Sequence, residues 1–391
     1  MNAIPLRDSL RIAVFADLRD RTYPVPLLVT SAGVRRARPG DGASDALVAL
    51  LADGDRTIGD VRVTSWHHSL AEGERAITVD QTNESVVVGE RAVVKWTFRA
   101  DEGPHPGPSL LTELSRHGFT GMPRPWGAVE WQPADGSSPR LLALVVELLP
   151  GAVDGWMWLV DDLREAAGGD DSIARSAGVA VGALVAAFHL ALAGTSRRST
   201  VSEAAALKAS ALSDLERALS VSSGASHDVL ARFSGHVRAA LEAMPVDATP
   251  LMRVHGDLHV GQVLRTGSTY ALTDFDGNPV VPASSRSAEQ PTALDVAGMA
   301  QSFTHAGLVV RKHHPNLSPE RVDGVARIAR SAFLSTYRDT LGDRVTVLDE
   351  RLLRPLALRQ VCLEFTYAAT HLPRWSYVPE AALPLLLEDA S

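Results

Sequence analysis

The spacing of apolar positions changes character once along this chain, near residue 150. Before that point short apolar runs alternate with turn-forming segments, and after it Ala- and Leu-rich stretches recur with helical periodicity. Ile12 to Leu18, Leu27 to Thr30 and Ala46 to Leu51, broken by turns such as Arg38 to Gly42, predict a small β-rich cap over residues 1–75. Ala76 to Gln81, Ser85 to Gly89 and Ala92 to Phe98 predict three antiparallel strands. A helix follows at Ser109 to His117, and a further strand at Leu141 to Leu148 closes on Pro150-Gly151. Helical spacing then marks Ser172 to Gly194, Val201 to Ser220, His227 to Met244, Ala293 to Val310, Pro319 to Leu341 and Leu348 to His371. Two short β-like runs, Leu251 to His255 and Tyr270 to Phe275, interrupt these helices. The expectation is an α+β chain in three parts: a cap over 1–75, a β-rich N-lobe over 76–150, and a mainly helical C-lobe over 151–391.

Composition narrows what such a chain does. With 391 residues, 45% hydrophobic and 21% charged, it has the makings of a globular enzyme of two or three packed units. A net charge of -8 and no run of five Lys or Arg argue against nucleic acid as a partner. The single cysteine, Cys362, excludes intrachain disulfides and Cys-based zinc sites and fits a reducing compartment. Met1 to Ser9 lacks a basic region followed by an apolar core, so a cytoplasmic protein is expected. Ala177 to Leu192 is the stretch that most nearly mimics a membrane span. It is mostly Ala, Gly and Val and contains His189, so a buried helix and no membrane contact are expected.

The candidate chemistry sits on the two short β-like runs. Val254-His255-Gly256-Asp257-Leu258-His259-Val260-Gly261-Gln262 is followed, twelve residues after Gln262, by Asp274-Phe275-Asp276-Gly277. Phosphoryl transfer needs a carboxylate to orient the acceptor hydroxyl, and oxygen ligands for the metal that bridges the nucleotide phosphates. Asp257 fits the first task; Gln262, five residues on, and Asp274, on the next hairpin, occupy the places of the two magnesium ligands. Magnesium keeps several waters, so one carboxylate, one amide oxygen and the ATP phosphates suffice. Taken singly, His255-Gly256-Asp257 is an ordinary turn and Asp274 an ordinary strand end; three elements in kinase order point to ATP and Mg2+. His255 is expected to buttress the loop through backbone hydrogen bonds.

The first lobe supplies a complement. Val93-Val94-Lys95-Trp96 places an ammonium in an apolar strand, where it needs a partner, and Lys95 is the candidate for the ATP α- and β-phosphates. Glu113 on the following helix is the expected ion-pair partner of Lys95. No G-x-G-x-x-G is present; Gln81, Asn83 and Ser85 in the turn Gln81-Thr82-Asn83-Glu84-Ser85 offer amide and hydroxyl donors to phosphate instead. Glu147-Leu148-Leu149 is placed by order as the adenine hinge, with backbone groups of Glu147 and Leu149 at the base.

The two motifs resemble those of the aminoglycoside phosphotransferase and protein-kinase-like superfamily, and more closely its actinobacterial maltokinase branch, where glutamine stands as Gln262 does here. Asp80 to Val87, Asp154-Gly155-Trp156 and Asp295-Val296-Ala297-Gly298-Met299 are similar to that branch as well. The resemblance implies a bilobal protein-kinase-like fold, ATP with magnesium, and a sugar acceptor in the helical lobe. Maltokinases carry an acidic residue where this chain has Asn278, and Arg-Ser-Phe-Asp-Tyr where it has Gln301-Ser302-Phe303-Thr304-His305. At both places the chain resembles the divergent actinobacterial glucosamine kinases, which phosphorylate the 6-hydroxyl of glucosamine. A protonated amino sugar needs a carboxylate, and Asp276, Glu289, Asp295 and Glu364 are available in the second lobe; Trp375 and Tyr367 offer rings to a sugar face. Maltokinase, aminoglycoside phosphotransferase and a non-catalytic nucleotide-binding pseudokinase remain the alternatives. An aminoglycoside enzyme calls for a more concentrated acidic surface than this chain has, and a pseudokinase calls for a damaged catalytic set.

Overall fold

The structure is a computed structural model that describes residues 2–17, 22–77, 84–100, 103–278, 281 and 283–388. The chain divides into two compact units, one comprising Met1–Arg116, Met122–Ala152 and Asp274–Ala288, the other His117–Gly121, Val153–Thr273 and Glu289–Ser391.

Unit 1 opens with an antiparallel meander of β1 (Asn2–Arg7), β2 (Leu10–Ala16), β3 (Thr22–Thr30) and β4 (Gly33–Arg36), paired in chain order. A helix, α1 (Ala43–Ala52), comes next. It is followed by β5 (Arg56–Ile58), β6 (Val61–Ser65), β7 (Glu74–Ala76), β8 (Glu84–Val88) and β9 (Ala92–Trp96). Then come α2 (Pro106–Arg116), β10 (Pro125–Trp131) and β11 (Arg140–Glu147). Strands β5 to β11 form one seven-stranded sheet in the order β5-β6-β10-β11-β9-β8-β7. Its apolar face, with Val94, Trp126 and Val145, shares a core with Ile12 of β2 and Leu47 and Leu51 of α1. Burying these side chains contributes roughly 1.5–3 kcal/mol each and is what ties the meander to the larger sheet.

One expectation for the cap is corrected here: Ala46 to Leu51 is helix rather than strand. A six-residue apolar run has no period of its own, and what decides it is packing on the i, i+4 face that Leu47 and Leu51 present to the core. The helix start is satisfied from a distance. Glu74 accepts from the backbone N–H groups of Gly40 (2.6 Å), Gly42 (2.9 Å) and Asp45 (3.2 Å), and also from Ser44. Its negative charge thereby lies at the positive end of α1.

Unit 2 is mainly helical. It begins with α3 (Gly155–Ala167) and α4 (Asp171–Leu192), and β12 (Arg197–Arg198) leads into α5 (Val201–Val221) and α6 (Gly224–Glu242). The short strands β13 (Pro250–Leu251), β14 (Val263–Thr266) and β15 (Thr269–Leu272) follow, with β12 paired to β13 and β14 to β15. After α7 (Ala283–Arg286), which belongs to unit 1, unit 2 resumes with α8 (Ala293–His313), α9 (Pro319–Leu341), α10 (Leu353–Thr370) and α11 (Tyr377–Glu388). The stretch 171–195 is long and apolar enough to cross a membrane by length and composition, yet α4 packs along α9 and half of its apolar window is buried. Helix α9 starts where its sequence signal says, because Ser318 accepts from Arg321 N–H and Pro319 needs no N–H at the first position. Helices α3 and α11 were not anticipated: Gly155 to Val160 is aromatic-rich, and α11 carries Pro384 in its interior.

Candidate active site

In β9 the side chains of Ala92, Val94 and Trp96 are buried in the core, so alternation sends Lys95 to the opposite face, across from Ser85 of β8. There Lys95 Nζ donates to Asp276 Oδ2 at 2.5 Å and to Asp274. Burial by itself penalises the charges of Lys95 and Asp276. The two carboxylates outweigh it at Lys95 and push its pKa up; at Asp276 burial is likewise outweighed by the ammonium, which holds the acid at about 2. His105 Nε2 stands 3.8 Å from Asp276 Oδ1, and burial pushes this imidazole down. Asp274 has a left-handed backbone, φ 63°, a conformation that aspartate tolerates better than most side chains but that still stores strain. Asp276, expected at the acceptor, is thus already neutralised by Lys95. Glu113 accepts from Arg116 at 3.1 Å in the last turn of α2.

The segment 254–262 of unit 2 is held by α3, α4, α8 and its own hairpin. His255 Nε2 donates to Thr273 O at 2.9 Å, the backbone buttress expected of it. The N–H groups of His255 and Gly256 donate to Asp295 Oδ2 and Oδ1 at 2.8 and 2.9 Å, and Val260 N–H donates to Ser302 Oγ at 3.0 Å. Two glycines allow the helices to come this close. A Cβ on Gly155, the first residue of α3, would lie 1.6 Å from Val260 O, and one on Gly298 of α8 would lie 2.7 Å from Leu258 O. Asp257 is half-buried on this loop. Gln262 ends the following turn, its N–H bonded to His259 O at 2.9 Å and its carbonyl accepting from Thr273 N–H at 2.9 Å. His259 accepts from Gly261 N–H through Nδ1 at 3.0 Å and stacks on Trp156 with centroids 5.7 Å apart.

A second polar cluster lies in unit 2, between α8 and α10. Gln301 Nε2 donates to both oxygens of Glu364, at 3.3 and 3.2 Å, and lies 3.2 Å from His305 Nε2. Gln360 Nε2 adds a contact at 3.5 Å, and His305 Nε2 is 3.4 Å from Glu364 Oε2. Burial pushes the Glu364 carboxyl up to about 8 and the His305 imidazole down to about 3. The carboxyl therefore keeps its proton at neutral pH while the imidazole stays uncharged. Gln301 is 1% exposed, and its Oε1 has no hydrogen-bond partner. Nearby, Trp375 meets Trp156 edge-on at 6.1 Å.

Asp295 requires a correction. It was an acceptor candidate, but it is 1% exposed and both oxygens are engaged by the loop's backbone amides, so it positions the loop instead. Glu289 is likewise committed, to Arg197 at 2.5 Å. Gln301 and Glu364, distant in sequence, are brought together as a cluster. Asn278 is half-buried, with its carbonyl accepting from Val281 N–H at 3.1 Å. Glu147 and Leu149 are half-buried at and just after the end of β11, while Gln81 and Asn83 lie outside the described residues. His305, quoted from the sequence in the run 301–305 but given no role of its own, joins the cluster through its i, i+4 spacing from Gln301 on one helix face.

No family model matches the chain. The glucosamine kinase of Mycolicibacterium smegmatis (strain ATCC 700084 / mc(2)155) is 46% identical over 366 residues, spanning 91% of this chain and 91% of the relative. The glucosamine kinase of Streptacidiphilus jiangxiensis is 44% identical over 381 residues, spanning 94% of this chain and 86% of the relative. A solved glucosamine kinase in complex with glucosamine, ADP and inorganic phosphate superposes with a TM-score of 0.86 at 40% identity, covering 99% of this chain and 93% of that one. The β-rich first unit and helical second unit are the architecture that these kinases share, and the chain belongs to the glucosamine kinase family.

Proposed function

We infer that this protein transfers the γ-phosphoryl group of ATP to the 6-hydroxyl of glucosamine, giving glucosamine 6-phosphate. Family membership supports the reaction class. The observation that carries the acceptor is the Glu364 cluster: a largely buried carboxyl without a cationic partner, beside the unpartnered Oε1 of Gln301. An ammonium group placed there favours the ionised form of Glu364, whose proton leaves to solvent; the cation then meets a buried carboxylate, and its N–H groups offer Gln301 Oε1 a donor. Trp375 is assigned to an apolar face of the sugar, and Asn278 to the acceptor's edge.

Asp257 orients the 6-hydroxyl and receives its proton; Lys95 steadies the α- and β-phosphates with Ser85, Gln81 and Asn83 in support, held in place by Asp276 rather than by the expected Glu113; and the backbone of Glu147 and Leu149 meets adenine. In this reading residues 76–150 bind ATP, residues 151–391 carry the acceptor, and residues 1–75 form the cap. Gln262 and Asp274 would hold Mg2+, which supplies charge neutralisation at the phosphates. What supports the assignment is the chemistry of the donors: an amide oxygen and a carboxylate are hard ligands of the kind magnesium takes alongside phosphate and water. Asp274, now paired with the Lys95 ammonium, offers the hard oxygen such an ion requires. A cytoplasmic location, where ATP is available, suits this activity.

The test is magnesium-dependent ADP release with glucosamine, glucose, maltose and kanamycin supplied separately. Turnover strongly favouring glucosamine is expected, and Asp257→Asn should lower it by about 10²–10⁴-fold with ATP binding retained. Turnover with maltose or kanamycin but not glucosamine, or full activity in the variant, would overturn the assignment.

A further inference from the structure

Asp295 reaches the loop amides from one side; from the other it meets a buried chain of two more side chains. His189 Nε2 of α4 is 3.1 Å from Asp295 Oδ2, and His189 Nδ1 is 2.7 Å from Tyr337 Oη of α9. The Tyr337 ring stands at 89° to the imidazole with centroids 5.6 Å apart. His189 and Tyr337 are fully buried. A carboxylate only accepts, so the proton on a neutral His189 sits on Nε2, Nδ1 accepts, and Tyr337 donates. Burial pushes the phenol up, so it stays protonated as a donor. Donation runs from Tyr337 of α9 through His189 of α4 to Asp295 of α8, which from its other side accepts from the amides of His255 and Gly256.

We propose that His189 and Tyr337 are positioning residues for phosphoryl transfer: through Asp295 they fix the backbone of the loop that carries Asp257. The inference rests on Asp257 as the catalytic carboxylate. Burying an imidazole and a phenol where Leu and Phe would fill the same space costs stability unless the polar atoms are paired. Here the pairing ends on backbone N–H groups one and two residues before Asp257. Asp295 without His189 retains its bonds to the amides but loses the donor that fixes its rotamer, so the loop retains its fold and loses its fixed geometry. A misplacement of about 1 Å is enough to slow a positioned reaction by about 10²-fold.

Three variants and two readouts separate this from ordinary packing. His189→Leu removes the donor, His189→Gln keeps an N–H able to reach Asp295, and Tyr337→Phe removes one hydroxyl only. In His189→Leu, kcat with glucosamine should fall about 10–100-fold, the range seen when supporting partners are removed, with both KM values within about twofold. His189→Gln should recover much of that loss, and Tyr337→Phe should lower kcat less than His189→Leu. In hydrogen–deuterium exchange of the protein without ligands, the peptide covering 252–258 should exchange faster in His189→Leu, and more so than peptides of α4 or α9. A kcat equal to wild type in both His189→Leu and Tyr337→Phe, or faster exchange spread evenly over α4 and α9 with no recovery in His189→Gln, would overturn the proposal. If wild type fails to turn over glucosamine, the acceptor assignment falls, while the exchange arm still decides the positioning role.

Discussion

Asp276 in unit 1 and Glu364 in unit 2 are carboxyl groups with similar shelter, their side chains 22% and 16% exposed, yet they end at opposite extremes. Burial works against the charged form of both. At Asp276 the Lys95 ammonium, 2.5 Å away, outweighs it and the acid is held at about 2. At Glu364 the neighbours are two amides and an imidazole that burial has itself neutralised, so only the amide hydrogen bonds of Gln360 and Gln301 oppose desolvation and the acid rises to about 8. The difference lies in the partner and not in the depth. Unit 1 holds an ion pair that is already complete, and unit 2 holds one that lacks its cation. In the proposed function a cationic amino sugar supplies the missing half.

The largest effect expected from breaking this comparison is at the completed pair. Lys95→Met leaves Asp274 and Asp276 facing each other's charge without the ammonium that both accept from. Breaking a fully buried pair costs about 3–5 kcal/mol, and the partial exposure here lowers the expectation to about 2 kcal/mol in urea unfolding. Phosphoryl turnover should fall by about 10²–10³-fold, since a fixed donor to developing charge is lost. Unchanged unfolding and turnover together would mean that Lys95 is not what holds Asp276 low.

Smaller, and specific to unit 2, is the effect of Glu364→Gln. The amide matches the neutral carboxyl in shape but cannot become an anion. The kcat/KM for glucosamine should drop about 10²-fold, within the cost of leaving one half of a buried charge pair unmatched, while the value for glucose changes little. Equal losses for both sugars would make Glu364 a wall of the site and not its amine selector.

How much of this was legible depends on how local each signal is. Asp257, Gln262 and Asp274 stood out as candidates because of their spacing along the chain, and Lys95 because a charge inside an apolar strand needs a partner, which the structure supplies as Asp274 and Asp276. The limits of α9 were readable from Ser318 and Pro319. The identity of α1 was not, because its short run takes its period from Ile12 and Trp126, which lie outside it. Asp295 was misassigned for the same reason: an acid in the first turn of a helix reads as a helix cap or a ligand until the loop amides are seen against it. His189 and Tyr337 carried no signal at all, since their partners lie more than a hundred residues away. Gln301 and His305 announced a polar face on α8, but Glu364 comes from another helix and its neutrality follows from the company it keeps.

The smallest effect, and the sharpest discriminator, is the dependence of stability on pH. The pKa of Glu364 is raised on folding from an ordinary 4.5 to about 8, so its contribution is fully present below the lower value and is lost as pH rises through the upper one. The slope approaches about 1.4 kcal/mol per pH unit where the folded chain holds the proton and the unfolded chain does not. Asp276 runs the other way: depressed from 3.8 to about 2, it loses its contribution only as pH falls through that range. His305, lowered from 6.5 to about 3, loses its contribution below neutrality. Between pH 6.5 and pH 8, then, only the Glu364 carboxyl of these three should tilt the curve. Unfolding free energies from urea titrations across that window should fall in wild type by about 1–2 kcal/mol in total and stay flatter in Glu364→Gln. Saturating glucosamine should flatten the wild-type slope by supplying the cation, whereas glucose should leave it in place. Parallel slopes in wild type and variant would place the lost cation elsewhere and dissolve the contrast between the two carboxyls.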